Sequence, residues 1–484
     1  MSRVSWQQGC VPVKKLSLID DAFLRLESRR MPLHIGGLVV LEPEDSAPEF
    51  VTELARKLRQ YTKPVGPCRQ RLVQKRGVHY WKETNDFDIN QHFAHISLPK
   101  PGRPKELLAM ISRVHSGHLD RAYPLWMFYL IEGFEDGRFA VYFKFHHSVM
   151  DGVSMIQMTL KSMSNDREAS KSKPAPWAIP LDAKKKHHSP VPSRSRVNVL
   201  RAVRSFAREP LRSVRPVLKE LRSNWEDLRQ HNPDFVVAGH APRCKFNRQV
   251  SASRRFAAQT YSADQIRAVA RACGATSNDV VLAMCGGALR RYLIAQDDLP
   301  DESLIAGVPV SIRRDNTTLG NEVAFTFANL ATHLEDPVAR LQAIKRCMDY
   351  NKEHLRQLSP DQTIICAALK LAIPATYYAI KEKNKDYALG NICISHVPGP
   401  KETMYWQGAK VKGIYPASLL IDGSGLNITL LSRHDGVDVG LVACPQAFPK
   451  VQSLLAYLQQ ELDALTEAAG IQGRVGLRRA DASV

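Results

Sequence analysis

The sequence has no pair of cysteines at C-x-x-C spacing. Its nine cysteines are scattered from Cys10 to Cys444, an arrangement that suggests neither a disulfide framework nor a metal site and leaves reduced thiols as the default. An apolar core of signal-peptide length is also missing before Lys14 and Lys15, so secretion is not expected. The longest apolar run, Thr363 to Ile380, is broken by Lys370 and Pro374. That length is marginal for a membrane span, and a buried amphipathic helix is the better reading. There is no G-x-S-x-G nucleophile elbow, which argues against a covalent serine intermediate. Acidic residues are in deficit, 48 Asp and Glu against 67 Lys and Arg, and the net charge is +19. Most of the excess lies between Lys161 and Arg255, where 22 cations face 8 anions. Aromatic residues are not interleaved with those cations as stacking on bases would require, so nucleic acid is not an expected partner.

What is present is a large apolar content, 44% of 484 residues, enough for a sizeable core in two or more domains. The most informative stretch is Phe143-Lys144-Phe145-His146-His147-Ser148-Val149-Met150-Asp151-Gly152. Side chains alternate along a strand, so Phe139, Val141, Phe143, Phe145 and His147 share one face and His146 points to the other. A neutral imidazole at the mouth of an apolar wall is placed to act as a general base. The plain alternative is a core histidine followed by an Asp151 helix cap, because a helix-like run begins at Val153.

The pattern on either side is α/β. Strands are expected at Gly36 to Leu41, Val78 to Lys82, Leu125 to Phe134 and Arg138 to His147, with helices at Pro48 to Gln60 and Pro104 to Leu119. Arg254 to Tyr261 reads as a strand, and Ser262-Ala263-Asp264-Gln265 as a capping box opening a helix that stops at Gly274. A helix from Asn278 to about Leu293 follows, then strands at Leu304 to Val310, Leu389 to His396, Val411 to Tyr415, Leu426 to Ser432 and Val437 to Ala443. Ala447 to Glu467 closes as a helix. These bounds give lobes at 1–165 and 251–484, joined by a basic connector at 166–250. The connector opens at Ser170 as a Ser, Pro and Lys-rich linker and continues as a basic amphipathic stretch, Val199 to Gln230, suited to an anionic lipid surface. Coenzyme phosphates or a solvated connector are the other readings of that stretch.

The HHxxxDG spacing of His146, His147, Asp151 and Gly152 resembles the chloramphenicol-acetyltransferase-like superfamily. Further segments resemble one of its branches, the bacterial wax ester synthase/diacylglycerol acyltransferase family. They are Pro32 to Gly37, Pro124-Leu125-Trp126, Ser277 to Val281 with Asn278-Asp279, Asn321 to Val323, Ile394 to Pro400, and Asp422 to Thr429 with Asn427. Tyr123, Met127 and His396 depart from the family pattern, at places that bear on which alcohol is accepted.

The resemblance implies two similar lobes, each a mixed sheet with helices, and a tunnel between them. It implies acyl transfer from acyl-CoA to a long-chain alcohol or diacylglycerol, with His147 as base, acyl-CoA as co-substrate and no other cofactor. Pro124, Leu125, Trp126, Asn278 and Asp279 become candidate substrate contacts, with helix capping the local alternative for Asn278 and Asp279. Asn427 becomes a candidate oxyanion donor. Asp151 is expected to be structural and paired with an arginine, Arg69 or Arg71. The expected location is cytoplasmic, peripheral to the inner membrane or lipid inclusions. Two other readings are a glycerolipid acyltransferase, because His146 and Asp151 satisfy HxxxxD though no E-G-T-R companion exists, and a non-catalytic lipid-surface protein of the same fold.

Overall fold

The computed structural model describes residues 13–44, 49–180, 241–311, 323–356 and 390–471, with 387–388 and isolated positions within 222–239. Its first half carries β1 (Val13–Lys15), α1 (Leu18–Leu26), β2 (His34–Glu42), α2 (Phe50–Arg59), β3 (Gln70–Lys75), β4 (Val78–Glu83) and β5 (Phe93–Ser97). Next come α3 (Pro104–Ser116), β6 (Trp126–Glu132), β7 (Phe139–His146), α4 (Gly152–Lys161) and α5 (Arg167–Lys171). The second half carries β8 (Ala241–Pro242), β9 (Arg255–Ser262), α6 (Ala263–Ala272), α7 (Ser277–Ile294), β10 (Ile305–Ser311), β11 (Val323–Asn329) and α8 (Pro337–Arg356). It ends with β12 (Tyr387–Ala388), β13 (Ile392–Pro398), β14 (Tyr405–Trp406), β15 (Ala409–Ala417), β16 (Leu426–Ser432), β17 (Gly436–Ala443) and α9 (Gln452–Ala468).

Two six-stranded mixed sheets dominate, in the orders β14-β15-β2-β7-β6-β5 and β11-β10-β13-β16-β17-β9. A small sheet, β1-β4-β3, stands apart. The two-lobed α/β expectation therefore holds, but the lobe boundary does not follow the chain. Strands β14 and β15 come from the segment expected to form the second lobe, and β15 pairs with β2 of the first sheet from Lys410↔Glu42 to Ala417↔Gly36. Gly440 of β17 allows the crossing, since a Cβ there would lie 1.8 Å from Pro416 O. Asp438 fastens it: its buried carboxylate accepts from Ile414 N (2.7 Å), Thr260 Oγ1 (2.6 Å) and Arg433 Nε (2.7 Å).

The stretch from Ser170 expected to open the linker is packed. Ser170 is buried and its hydroxyl receives Gly408 N–H at 2.9 Å, while Trp177 is fully buried and donates Nε1–H to Tyr61 O at 2.9 Å. Trp177 is large enough to turn a Pro- and Ser-rich composition into packed structure. At the other end Ala241, Phe246 and Val250 are buried. Nearly all of Val199 to Gln230 lies outside the described residues, as do Asn321, Glu322 and Thr363 to Ile380.

Strand β7 is buried along all eight residues. Its odd side chains Phe139, Val141, Phe143 and Phe145 join the core of the first lobe with Trp126, Phe128 and Met155. Its even side chains Ala140 and Tyr142 join the larger core that continues into the second lobe. A central strand covered on both faces needs a continuous apolar run, which is what the sequence has.

Candidate active site

Strand β7 ends one residue earlier than alternation suggests. His146 is its last member, opposite His34, and His147 stands in the turn that follows, its N–H donated to Leu33 O at 3.0 Å. Its ring lies on Phe23 of α1, centroids 4.3 Å apart and nearly parallel. Nδ1 is enclosed and finds no partner in another described residue, so Nε2 is the nitrogen with access. Burial pushes the imidazole down to about 4, while the Asp151 charge works in the opposite direction. At neutral pH His147 is therefore an unprotonated base with partial solvent access.

His146 is 1% exposed, and its Nε2 makes no hydrogen bond to another described residue. Its N–H goes to Leu125 O at 3.0 Å. Nδ1 receives Ser148 N–H at 3.1 Å, which places the proton on Nε2, and Nε2 faces Glu27 Oε1 at 3.4 Å. Glu27 is the functional neighbour that the sequence did not reveal. Its carboxylate also takes Arg121 Nη2 at 2.8 Å and Leu33 N–H at 3.2 Å. Burial disfavours its charge, yet His146, Arg121 and the Leu33 amide outweigh burial and hold it down to about 2. The available signal was an acid directly after α1, just before the Pro32 to Gly37 block.

Asp151 caps α4. Its Oδ1 accepts Ser154 N–H at 2.7 Å, and it is 4% exposed. The expected arginine partners are elsewhere: Arg69 donates to Thr84 O and Asn85 Oδ1 and lies 3.7 Å from Glu83, and no ion pair joins Arg71 to Asp151. Gly152, the first residue of α4, has open space where a Cβ would stand. Beside α4, on the odd face of β7, a small apolar pocket with about 20 Å³ of free volume is lined by Val39, Val141, Phe143, Met155, Trp406 and Ile414 among others, and His147 is not part of its lining.

The remaining candidates are not all gathered here. Trp126 is a core residue, 1% exposed, stacked on His92 (4.4 Å) and bonded through Nε1–H to Cys68 O (2.8 Å). It supports the cavity from behind. Leu125 contributes its carbonyl to His146, and Pro124 bridges to Arg71. Asp279 closes a capping box with Thr276, which is the N-cap of α7; Asp279 Oδ2 accepts Thr276 N–H at 2.9 Å. Asn278 Oδ1 meets His396 Nδ1 at 3.2 Å, and His396 Nε2 meets Ser432 Oγ at 2.7 Å. This chain lies on the helix side of the second sheet.

Asn427 occupies the opposite side. In register, Cys393 pairs with Asn427, Ser395 with Thr429 and Val397 with Leu431, and Val397 and Leu431 pack into the first-lobe core. That face therefore looks towards the first lobe. Thr429 Oγ1–H donates to Asn427 Oδ1 at 2.8 Å, and the Asn427 side chain also hydrogen-bonds the Cys393 thiol.

A wax ester synthase/diacylglycerol acyltransferase catalytic domain matches residues 16–281, and a WS/DGAT C-terminal domain matches 319–466. The chain is 40% identical over 453 residues to an O-acyltransferase WSD of Acinetobacter baylyi, covering 93% of this chain and 96% of that protein. It is 38% identical over 471 residues to a probable diacylglycerol O-acyltransferase of Mycobacterium tuberculosis, with 93% and 98% covered. In structure it is similar to the wax ester synthase/diacylglycerol acyltransferase of Marinobacter aquaeolei, at a TM-score of 0.74 and 35% identity, covering 94% of this chain and 100% of that one. The first condensation domain of the CDA synthetase shares the fold at a TM-score of 0.57 and 17% identity, over 98% and 97% of the two chains.

Proposed function

The chain belongs to the wax ester synthase/diacylglycerol acyltransferase family, and on that premise we propose that it moves a fatty acyl group from acyl-CoA to a long-chain alcohol or diacylglycerol, with His147 as general base. The observation that carries the assignment is the position of His147: an unprotonated imidazole, open at Nε2, in the turn that ends the buried strand β7. A thioester is already activated, so no enzyme nucleophile is needed. As the alcohol oxygen bonds to the thioester carbon, its proton passes to His147 Nε2. The tetrahedral oxyanion collapses, the C–S bond breaks, and the thiolate of coenzyme A takes the proton back from Nε2.

A base held near 4 accepts that proton only as the new C–O bond forms, so transfer and attack are concerted. Asp151 contributes by favouring the imidazolium while it lasts, and the Asn427 NH₂ group is the candidate donor to the oxyanion. Holding both reactants together at His147 supplies the proximity contribution to the rate. Acyl-CoA serves as co-substrate, and the chemistry requires no further cofactor.

The alcohol substrates are water-insoluble, so we place the protein at the surface of a membrane or lipid inclusion as a peripheral protein. Among the described residues no helix is long and apolar enough to cross a bilayer. The test offers the purified protein palmitoyl-CoA with hexadecanol and with diacylglycerol side by side, following thiol release and neutral lipid. Release of thiol without an ester product, or no turnover with either acceptor, would refute the assignment.

A further inference from the structure

Helix α1 buries Leu24 in a small core with Leu16 and Trp81, yet it also presents an apolar stripe outwards. Ile19 and Leu26, seven residues apart and so on one face, are 39% and 61% exposed; Ala22 lies between them and is exposed too. Its carboxylates are turned the other way: Asp21 is held by His79 Nδ1 (2.6 Å) and Arg25 Nε (2.7 Å), and Glu27 lies beneath, on His146. Six large apolar residues are exposed among the described ones, and three of them, Val13, Ile19 and Leu26, fall in this short N-terminal stretch. A cluster of that kind marks an interaction surface.

Charge says what it meets. Around the stripe stand exposed Lys14, Lys15, Arg25, Arg29 and Arg30. Arg25 Nη2 also donates to Gly77 O at 2.8 Å, which ties α1 to the β3–β4 turn with exposed Lys75 and Arg76. We propose that α1 and the small β1-β4-β3 sheet form a cap that docks on an anionic phospholipid surface, Ile19 and Leu26 entering the acyl region and the cations meeting headgroup phosphates. This rests on the surface association proposed above and says which face carries it. Because Phe23, on the flank of the same helix, lies on His147, docking sets the catalytic imidazole directly behind the contact. An alcohol dissolved in the lipid then reaches the base without crossing bulk water.

Flotation of the full chain on phosphatidylcholine vesicles, with and without phosphatidylglycerol, tests this. The joint variant Ile19→Ser, Leu26→Ser is expected to lower partitioning onto anionic vesicles by about tenfold or more. Turnover of vesicle-borne hexadecanol should fall with it, while turnover of a water-soluble short-chain alcohol stays unchanged. Lys14→Gln, Lys15→Gln, Arg29→Gln together should weaken binding to anionic vesicles only, as should high salt. A Leu26→Trp reporter should shift its emission to the blue when vesicles are added. If the wild type floats and both variants float equally well, or the reporter does not move while the protein is bound, docking lies elsewhere and the inference fails alone. If the wild type does not float on either vesicle, the surface association fails with it.

Discussion

On one side of β7 the side chains Phe139, Val141, Phe143 and Phe145 pack against carbon, and Val141 and Phe143 border a small apolar pocket. On the other side Tyr142 meets His115 Nδ1 at 2.7 Å, Lys144 Nζ donates to Val114 O at 2.9 Å, and His146 faces Glu27. The polar side is the buried seam between the lobes, and Tyr142, His115 and Lys144 are paired there because an unpaired group would cost its desolvation. Two adjacent histidines thus have opposite fates. His146 is consumed by structure, and His147, past the strand end with Nε2 unengaged, is left for chemistry.

The largest effect expected from this contrast is at His147. His147→Ala should lower kcat by about two to four orders of magnitude, the usual worth of a positioned base, with the melting temperature unchanged. Its pH dependence sharpens the point: with the imidazole held at about 4, kcat/KM should stay level as pH falls through the ordinary histidine range and drop only near pH 4. An acid limb close to pH 6.5 would mean that a solvated histidine is acting.

Replacing His146 should act through the fold. His146→Ala leaves a buried carboxylate short of a partner at a cost of about 1–3 kcal/mol, so soluble yield and melting temperature fall and activity falls with them. If both single variants lose turnover equally while remaining equally stable, the contrast between the two faces is wrong.

Glu27 gives the same seam a pH signature. Its folded pKa is depressed to about 2 from the ordinary 4.5, so its contribution to stability is present above about 4.5 and is lost as pH falls towards 2. Glu27→Gln should flatten that part of the melting-temperature profile. A variant whose profile overlays the wild type would detach Glu27 from His146.

Smaller effects separate capping from chemistry at the head of α4. Asp151→Ala should cost about 1–2 kcal/mol from the lost cap. Asp151→Asn should restore the cap while lowering turnover, because the charge that favours the imidazolium is gone. Gly152→Ala, with open space around it, should leave stability within about 0.5 kcal/mol of the wild type, so any fall in activity reports on what passes through that space.

Much of this was legible in the chain itself. The β7 run, the Asp151 cap and the helix opened by Ser262 depend on neighbours within a few residues. Ser262 Oγ does accept Gln265 N–H, at 3.2 Å. Alternation misplaced His147 by carrying the strand into the turn, where Val149 N–H already bonds to His146 O at 2.9 Å. Other features needed contacts far apart in sequence. Glu27 gains its role from His146, and Phe23 of α1 gains its role from His147, each far away in sequence. Trp126, read by resemblance as a candidate substrate contact, is instead held among His92, Trp177 and Cys68, a setting that no local pattern encodes.

The crossing strand β15 has a consequence for how the chain is made. The first sheet is complete only when residues 409–417 have been added beside β2. Until then β2 presents a free edge with Leu38, Val39, Val40 and Leu41, all buried in the finished molecule. Such an edge is a template for pairing with another chain. The growing polypeptide must therefore hold an adhesive strand open across more than three hundred and fifty residues of synthesis. A truncated product lacking the last quarter would be sticky in its first lobe, far from the point of truncation.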